Sequence, residues 1–500
     1  MRIILLTTFL CLGHFLFGQL FNRPVPDVLF QYEYSNTGFT GQGYFLATPI
    51  KLNSFPQDPD YMRPFPVVFD NDGYIHWYAK PNTGSCLDFK YYESADIYSL
   101  TYVKNGNPSF LILDNTLNPI DTLNVVDHWH DLHDIQLMDN GNWMLGTAFF
   151  DTMDLSAYTF DGTQGDVSTA AKGFGFQEFD ASGTLINEWN SNDYILPTET
   201  YDYWGYSSDP FDYCHGNAIE EDVDGNILMS FRHLNAIYKV DRITGNVIWK
   251  LGGNSSDFVF TNDNGFSGQH DIRRTSDGYY SLFDNGNMGV PQVSRGVAYS
   301  LDTISWTATL VEEYIHPTNA YGRAMGNYQT TTDDFRVIGY GRIHRPDPSA
   351  TIINNNETIL AEYFFQDSVI NYRMHYYEVD GLPKPEITCN VTQNGFELTV
   401  ENANNYLWST GETTQNIQLN SPGTYQVWVT AGFGSVGSDP FIVSDITNPC
   451  GNASLPELSG QQETYILFDL LGRKIETPQR NVVYIKRWSN GKSEKIFFTE

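Results

Sequence analysis

One local pattern repeats along most of the chain, from about Leu20 to Asp380: a β-rich run, a tight turn that contains Gly, and a second β-rich run. Gly, and less readily Asn and Asp, adopts the positive φ that two-residue hairpin turns require. A series of such turns predicts antiparallel hairpins one after another, and therefore an all-β fold. The turns include Asn71-Asp72-Gly73, Asn140-Gly141, Asp224-Gly225, Thr244-Gly245 and Asp277-Gly278.

Three of the β-rich runs begin with a histidine. His133, His215 and His270 each lead a run into one of these turns, so they occupy equivalent positions in the repeat. The interval between the last two is about 50 residues, the length of one four-stranded propeller blade. The whole repeat, about 360 residues, has room for six or seven blades. We predict a six-bladed β-propeller over residues 19–382, with the three histidines at one end of its central channel.

The composition changes near Pro383-Lys384-Pro385, a motif that stiffens an extended linker between domains. Beyond it, Tyr425, Val427 and Val429 share one face of an alternating run, as in a sandwich strand. We predict a small immunoglobulin-like β-sandwich over residues 383–447 and a short β unit over residues 455–500.

The N-terminus has the pattern of a secretory signal peptide. Arg2 precedes an apolar run, residues 3–17, that is too short to span a bilayer. We place cleavage after Gly18, which removes residues 1–18. No other apolar run in the sequence reaches membrane-spanning length, so we expect no transmembrane segment.

Four cysteines follow the signal peptide, an even number in an oxidising compartment, which favours disulfides. Sequence alone leaves their pairing open. Cys389 with Cys450 is the favoured bridge because it encloses a compact segment, and its closure contributes about 4 kcal/mol in the chain-entropy model. Cys214, beside His215, is either structural or a reactive thiol.

The formal net charge of −32 excludes nucleic acid and anionic membrane surfaces as partners, because both bind through clustered Lys and Arg. A site for an anionic ligand would therefore need its own cationic groups. Arg232 follows the Asp224-Gly225 turn, so the hairpin would fold it back toward His215. The alternative for Arg232 is an ordinary ion pair with Asp222 or Asp241.

Several motifs around these residues resemble the bacterial arylsulfate sulfotransferases. They follow one another in the same order and with compatible gaps, and the similarity runs from about His128 to Tyr314. The motifs are His215-Gly-Asn217, Ser230-Phe-Arg-His233, Ile248-Trp-Lys-Leu-Gly-Gly253, Gly268-Gln-His270, Phe283-Asp-Asn-Gly-Asn287 and Ser294-Arg295.

This resemblance implies that His270 is a nucleophile that becomes sulfated, with His133, His215, Asn217 and Arg232 around the sulfuryl group. It implies transfer of a sulfuryl group from a phenolic sulfate donor to a phenolic acceptor, with no cofactor and no nucleotide sulfate. The family has Thr or a similar residue after the nucleophile, whereas this chain has Asp271, which we expect to tune His270.

Trp204 and Tyr206 lie in a Gly/Ser/Asp-rich loop, and we predict that they contact the aromatic ring of the substrate.

A competing hypothesis is a zinc site at His128, His130 and His133, but on an alternating strand the third histidine points away from the first two. The alternative to an enzyme is a secreted propeller that serves only as a binding or adhesion module.

The final residues resemble a type IX secretion sorting domain. The similarity covers about 45 residues and rests on Asp469-Leu-Leu-Gly-Arg-Lys474, and it departs at Asn481-Val482. It implies that the secretion machinery is a partner and that the protein is secreted or lies on the outer cell surface. A plain C-terminal strand pair is the alternative.

Overall fold

The computed structural model describes residues 23–26, 29–52, 63–79, 85–104, 107–333, 335–379 and 381–450, and the backbone of the strands between residues 465 and 497. The predicted signal peptide, residues 1–18, lies outside the described residues. Within them, the regular structure consists of β-strands and short 3-10 helices, which confirms the predicted all-β class. No helix in the described ranges is long and apolar enough to cross a membrane. The 3-10 helices are Ser191–Asp193, Pro197–Glu199, Tyr203–Ser207 and Arg232–Leu234.

Six sheets of four or more strands lie in a compact unit that spans residues 1–388, 398–417 and 425–439. The first contains Tyr32–Asn36, Asn327–Thr330, Arg336–Gly339, Ala350–Ile353 and Ile359–Phe365, and the second contains Tyr44–Lys51, Val67–Asp70, Ile75–Ala79, Val369–Tyr377, Tyr406–Trp408, Val427–Ala431 and Gly434–Gly437. The third contains Ser85–Tyr92, Ile97–Lys104, Asn107–Leu113 and Pro119–Leu123, and the fourth contains Trp129–Leu137, Trp143–Met153, Thr169–Phe179 and Leu185–Asn190. The fifth contains Gly216–Glu221, Ile227–Phe231, Ala236–Val240 and Val247–Gly252, and the sixth contains Val259–Phe260, His270–Arg274, Tyr280–Asp284, Arg295–Asp302 and Thr307–Ile315. A separate two-stranded ribbon joins Thr159–Phe160 to Thr163–Gln164.

The predicted hairpin turns are present. Each lies between two antiparallel strands of one sheet, for example Asp224-Gly225 between Gly216–Glu221 and Ile227–Phe231. The glycine of each turn has positive φ, as the sequence required. These glycines are Gly73 (76°), Gly141 (83°), Gly225 (77°), Gly245 (73°) and Gly278 (86°).

Two sheets are completed by strands that are distant in sequence. Tyr32–Asn36 pairs antiparallel with Ile359–Phe365, and Tyr44–Lys51 pairs antiparallel with Val369–Tyr377. The beginning of the described chain is therefore hydrogen-bonded to the end of the repeat, which ties the sheets into one unit.

Six strands, one from each sheet, pack against one another in a ring, each contacting the corresponding strands of two other sheets. Five of these six strands, all except Asn327–Thr330, have a register shift where they pair with the adjacent strand of their own sheet. Bulges of this kind change the direction of side chains and are common beside functional sites. We call these six the lining strands: Ser85–Tyr92, Trp129–Leu137, Gly216–Glu221, His270–Arg274, Asn327–Thr330 and Val369–Tyr377.

Aromatic side chains fill the space between neighbouring sheets. Phe174 of the fourth sheet meets Phe231 of the fifth with ring centroids 6.1 Å apart, and Trp249 of the fifth meets Tyr280 of the sixth at 5.7 Å. Both pairs are edge-to-face, a favourable geometry for buried rings. Other aromatic residues near the motifs, including Tyr213, Phe266 and Phe283, are also buried.

Part of the segment predicted as an immunoglobulin-like sandwich extends the second sheet: Gly434–Gly437 pairs with Ile75–Ala79, and Val427–Ala431 pairs with both Gly434–Gly437 and Tyr406–Trp408. The domain boundaries drawn from the sequence stay a prediction. A second compact unit spans residues 389–397, 418–424 and 440–500. The other strands after residue 386 are Ile387–Thr392, Gly395–Val400, Asn416–Gln418, Gly423–Tyr425, Phe441–Val443, Tyr465–Phe468, Lys474–Ile475, Val483–Trp488 and Ser493–Phe497.

The cysteines are divided between a bridge and two buried thiols. Cys389 and Cys450 form a disulfide, which confirms the favoured pairing. Cys86 and Cys214 are buried free thiols, so the even cysteine count did not imply a second bridge. Burial raises the pKa of Cys214 to about 12, which leaves little of the reactive thiolate.

Candidate active site

A cavity of about 650 Å³ lies where several lining strands begin. It brings together the three histidines predicted to converge, His133, His215 and His270, with the predicted Arg232. None of its described lining residues is acidic, although the chain has a formal net charge of −32. The rest of the described wall includes Asn287, Gln292, Tyr321, Arg323, Met325 and Arg342.

His270 is buried, with 2% of its surface exposed, and its Nδ1 is held by two acceptors. Nδ1 lies 2.7 Å from Asn285 Oδ1 and 3.0 Å from the carbonyl oxygen of Gly268. The Nδ2 of Asn285 donates to the carbonyl groups of Gly322 and Met325, so its Oδ1 is the atom that faces the ring. Because both neighbours of Nδ1 are acceptors, Nδ1 carries the proton.

The Nε2 atom of His270 therefore carries a lone pair, and the backbone N–H of Met325 donates to it at 3.1 Å. Burial, together with the guanidinium of Arg232, holds the pKa of His270 well below its ordinary value. The ring is neutral at pH 7. A neutral imidazole nitrogen on a cavity wall can act as a nucleophile.

His133 and His215 each have a carboxylate at Nδ1. His133 Nδ1 lies 2.6 Å from Asp131 Oδ1, and His215 Nδ1 lies 2.8 Å from Asp212 Oδ2. This partner fixes the ring and leaves Nε2 for proton transfer. The two rings meet edge-on with centroids 5.2 Å apart. Burial keeps the pKa of His215 below its ordinary value despite the neighbouring carboxylate.

Arg232 begins the 3-10 helix Arg232–Leu234, directly after the strand on which the sequence placed it. Its Nη2 donates to the carbonyl oxygen of Arg323 at 3.2 Å, and its buried Nε has no hydrogen-bond partner among the described residues. Asp222, one of its predicted partners, instead binds Lys239 at 2.7 Å. A buried donor without a partner beside a cavity suits an anionic ligand.

A family model described as arylsulfotransferase (ASST) matches residues 102–363, just over half of the 500-residue chain. The chain belongs to the arylsulfotransferase family. No curated protein matches it significantly.

Three similar solved structures are distant likenesses, and they carry no argument about function. A protein of unknown function from Bacteroides caccae is 8% identical with a TM-score of 0.41, covering 67% of this chain and 99% of that one. A functionally unknown protein from Desulfotomaculum acetoxidans is 12% identical with a TM-score of 0.37, covering 71% and 94%. Catalytically inactive virginiamycin B lyase from Staphylococcus aureus with quinupristin is 13% identical with a TM-score of 0.34, covering 74% and 96%.

Asn217, which the arylsulfotransferase resemblance placed beside the sulfuryl group, is not among the described residues of the cavity wall. Its Nδ2 donates to the carbonyl oxygen of Gln269 at 2.9 Å, and its Oδ1 accepts from the N–H of Asp271 at 3.4 Å. Asn217 thus connects the lining strands Gly216–Glu221 and His270–Arg274 on either side of His270. These contacts fit a positioning role.

Asp271 was expected to tune His270, but its carboxylate binds other groups. It lies 2.7 Å from Arg273 Nη2, 3.4 Å from Arg373 Nη1 and 3.8 Å from His375 Nε2. Burial alone would raise the pKa of Asp271, but the two guanidinium groups outweigh burial and hold it far below its ordinary value. The acid is therefore ionised, and its charge is neutralised by Arg273 and Arg373.

The predicted aromatic contacts lie in the 3-10 helix Tyr203–Ser207. The side chain of Trp204 lies outside the described residues. The ring of Tyr206 stacks on Phe160 with centroids 4.6 Å apart, and its hydroxyl accepts from the N–H of Asp166 at 2.7 Å. Tyr206 lines a separate cavity with Phe160 and Asp166, so the structure does not bring it to the histidines.

Sequence reasoning missed several residues of this cavity and its surroundings. Asn285 was inside a quoted motif, but only the structure shows that it holds His270. Arg323 and Arg342 lie beyond the segment of resemblance, in loops that follow no histidine-led run. The only available signal was Gly322 and Gly341 on the same loops, since a glycine next to a strand can mark the close approach of another backbone.

The histidines of the rival zinc hypothesis have separate neighbours. His128 Nε2 lies 3.5 Å from Glu188, and His130 Nε2 accepts from the N–H of Val125 at 3.3 Å. His133 is held by Asp131. Over the described ranges, the group with metal-ligand spacing is instead Asp212, His215 and His233, whose close atoms are already joined by hydrogen bonds to Asp212.

Proposed function

We propose that this arylsulfotransferase family member is a secreted six-bladed β-propeller that moves a sulfuryl group from a phenolic sulfate ester to a phenolic acceptor. The observation that supports this best is one cavity that combines neutral His270 Nε2 with arginines and no described acid. The six sheets and their ring of lining strands support the blade count.

In the first displacement, Nε2 of His270 gives up the hydrogen bond from the Met325 N–H and attacks the sulfur atom of the donor. A sulfur–nitrogen bond forms, and the bond between sulfur and the phenolic oxygen breaks, with its electron pair leaving on the oxygen. Arg232 stabilises the sulfuryl oxygens through its guanidinium group, whose Nε donor has no hydrogen-bond partner among the described residues. A phenol, with a pKa of about 10, leaves far more readily than an alcohol does.

In the second displacement, the oxygen of an acceptor phenol attacks the same sulfur atom and His270 leaves as a neutral imidazole. Throughout, the Nδ1 proton stays on the ring, held by Asn285. His133, paired with Asp131, gives its Nε2 proton to the first phenolate and removes the proton of the acceptor. Burial disfavours the charged form of His215, so we assign the proton transfer to His133. The sulfuryl group arrives on the donor itself, so no cofactor is needed.

Export rests on sequence features. The signal peptide, residues 1–18, and the disulfide between Cys389 and Cys450 both fit an oxidising compartment. The C-terminal strands from Tyr465–Phe468 onward are where we place the type IX sorting signal, with the secretion machinery as partner. Immunodetection of the mature chain in the medium, lost when residues 455–500 are deleted, would support this destination.

The test of the reaction is release of 4-nitrophenol from 4-nitrophenyl sulfate with and without a second phenol. We expect acceptor-dependent release by the mature chain and a loss of about thousandfold or more in His270→Ala. His344→Ala, an exposed histidine outside the cavity, is the matched control and should keep its activity. Donor alone should add one SO₃ group to the peptide that contains His270.

Two results would contradict the proposal. Release that persists in a folded His270→Ala variant would remove the covalent histidine. No release from several aryl sulfates by the wild-type chain would favour the binding propeller, the alternative function considered from the sequence.

A further inference from the structure

Two arginines of the cavity, Arg323 and Arg342, have no role in the proposed reaction. Both line the cavity with His270, and neither forms an ion pair with a carboxylate among the described residues. Arginines elsewhere in the same unit do: Arg295 binds Asp284 at 2.9 Å, and Arg336 binds Glu312 at 2.6 Å. Most of the described lysines and arginines, such as Lys239 and Arg373, have a carboxylate partner.

The loops that carry these arginines are packed backbone to backbone. A Cβ atom on Gly322 would lie 2.3 Å from the carbonyl oxygen of Gly341, and one on Gly341 would lie 2.3 Å from that of Ala324. Only glycine fits at such distances, so the contact places Arg323 and Arg342 on adjoining loops. The two arginines are therefore presented together by a fixed backbone.

The first of these loops is also tied to the catalytic groups. The carbonyl oxygen of Arg323 accepts from Arg232 at 3.2 Å and from Asn287 at 3.1 Å, and Met325 donates to His270. A ligand whose sulfur atom reaches His270 would thus lie within the same cavity as both arginines.

A sulfate monoester carries one negative charge, whereas three guanidinium groups line the cavity, those of Arg232, Arg323 and Arg342. The carboxylates beside the cavity histidines, Asp131 and Asp212, bind His133 and His215 and also lie near Lys172, so they are not paired with these arginines. Guanidinium groups bind carboxylates and sulfates through paired N–H donors. We propose that Arg323 and Arg342 bind a second anionic group, a carboxylate or another sulfate, on the aromatic substrate. This inference rests on the proposed function and names its substrate class.

The experiment compares two donors that differ in one charge: the sulfate ester of 4-hydroxybenzoate, with two negative charges, and the sulfate ester of methyl 4-hydroxybenzoate, with one. The quantity measured is kcat/KM for each donor with one common acceptor at constant ionic strength, because salt screens charges. The wild-type chain should favour the doubly charged donor.

Arg323→Gln and Arg342→Gln should each lower kcat/KM for the doubly charged donor about tenfold, the range expected for one lost charge-assisted hydrogen bond. The loss for the singly charged donor should be smaller, about threefold or less. The ratio between donors therefore falls in both variants, and the intrinsic reactivity of each ester cancels from the comparison. Lys104→Gln removes an exposed positive charge on another sheet and should leave the ratio unchanged.

Equal losses for both donors would overturn the inference, because the arginines would then serve the transferred group itself. If the wild-type chain turns over neither donor, the proposed function fails, and the subsite is tested separately by calorimetric binding of 4-sulfobenzoate and methyl 4-sulfobenzoate. Stronger binding of the doubly charged compound, weakened about tenfold in Arg342→Gln, would support the subsite. Binding that is unaffected by the substitution would overturn it.

Discussion

Arginines have opposite surroundings in the cavity and in the buried region next to it on the lining strands. Asp134 and Asp271 follow His133 and His270 directly on the lining strands, and they belong to a network in which each cation has a carboxylate partner. Arg373 lies 2.5 Å from Asp88, and Arg273 lies 2.7 Å from Asp271. We call this the buried charge network: Asp88, Lys90, Asp134, Asp271, Arg273 and Arg373.

In the cavity, by contrast, Arg232, Arg323 and Arg342 have no carboxylate partner among the described residues. This difference indicates which charged side chains stabilise the fold and which are available to bind a ligand. A guanidinium group between buried acids holds lining strands together, whereas one without an acid can bind an anion that arrives from solution.

The largest expected effect comes from breaking a pair in the network. Arg373→Met would leave buried Asp88 and Asp271 without one of their countercharges, and we expect the free energy of unfolding to fall by about 3–5 kcal/mol. Denaturant titration measures this change. Arg232→Met, the matched cavity variant, removes no ion pair and should cost about 1 kcal/mol or less. Similar losses in the two variants would show that the distinction between paired and unpaired arginines is wrong.

Substitution of Arg232 in the cavity should affect the reaction rate more than the stability of the fold. Arg232→Ala removes a donor to the sulfuryl oxygens, and we expect kcat with an aryl sulfate to fall about a hundredfold. Arg232→Lys keeps the charge without the paired donors and should recover only part of this loss. Initial rates at saturating donor provide the measurement, and near-normal kcat in folded Arg232→Ala would remove this residue from the chemistry.

The sequence predicted the parts of the fold that depend on local rules. Positive φ at Gly73, Gly141 and Gly225 follows from turn chemistry, and the convergence of His133 and His270 follows from their equal positions in a repeat. The pairing of Tyr32–Asn36 with Ile359–Phe365 could not be predicted, because no local pattern specifies which distant strand completes a sheet. The same limit applies to Gly434–Gly437, which was assigned to a separate sandwich but pairs with Ile75–Ala79.

Within the site, residue type was a better guide than residue environment. The sequence identified Arg232 and the histidines, but it assigned Asn217 to the ligand although its amide binds backbone atoms of the neighbouring lining strand. It missed Arg323 and Arg342 because the feature that sets them apart, the lack of a carboxylate partner among the described residues, is a property of three-dimensional neighbours. Cation pairing in a chain this acidic can be judged only from the folded structure.

The two histidine–carboxylate pairs allow a finer version of the comparison. Asp131 accepts from His133 and should act as a positioning residue, so Asp131→Asn should lower kcat about tenfold and shift the acidic limb of the pH–rate profile. Asp212→Asn should have a smaller effect, because burial keeps His215 neutral. Profiles of kcat against pH for both variants provide the measurement. A profile that changes only in height for Asp131→Asn would indicate a structural role.

The smallest expected effect concerns stability at acid pH, and it distinguishes His233, which stacks on His215, from Asp134 of the buried charge network. Burial, together with the neighbouring His215, lowers the pKa of His233 to about 4. The cations around Asp134 outweigh the burial of this carboxyl group and lower the pKa of Asp134 to about 2. His233 thus has a folded pKa below its unfolded value, so the unfolded chain binds the proton first as the pH falls. Stability is lost from about pH 6.5 downward, and this loss ends near the folded value of about 4.

The network carboxylate behaves differently over the same interval. Its folded pKa is depressed, so Asp134 contributes stability that is present above its unfolded pKa and is lost only as the pH falls toward about 2. Between pH 6.5 and pH 5.5, His233→Gln should therefore reduce the acid-induced loss of unfolding free energy by about 1 kcal/mol. Denaturant titrations at the two pH values measure it. An equal loss in the variant and the wild-type chain would mean that His233 binds its proton equally well in the folded and unfolded states.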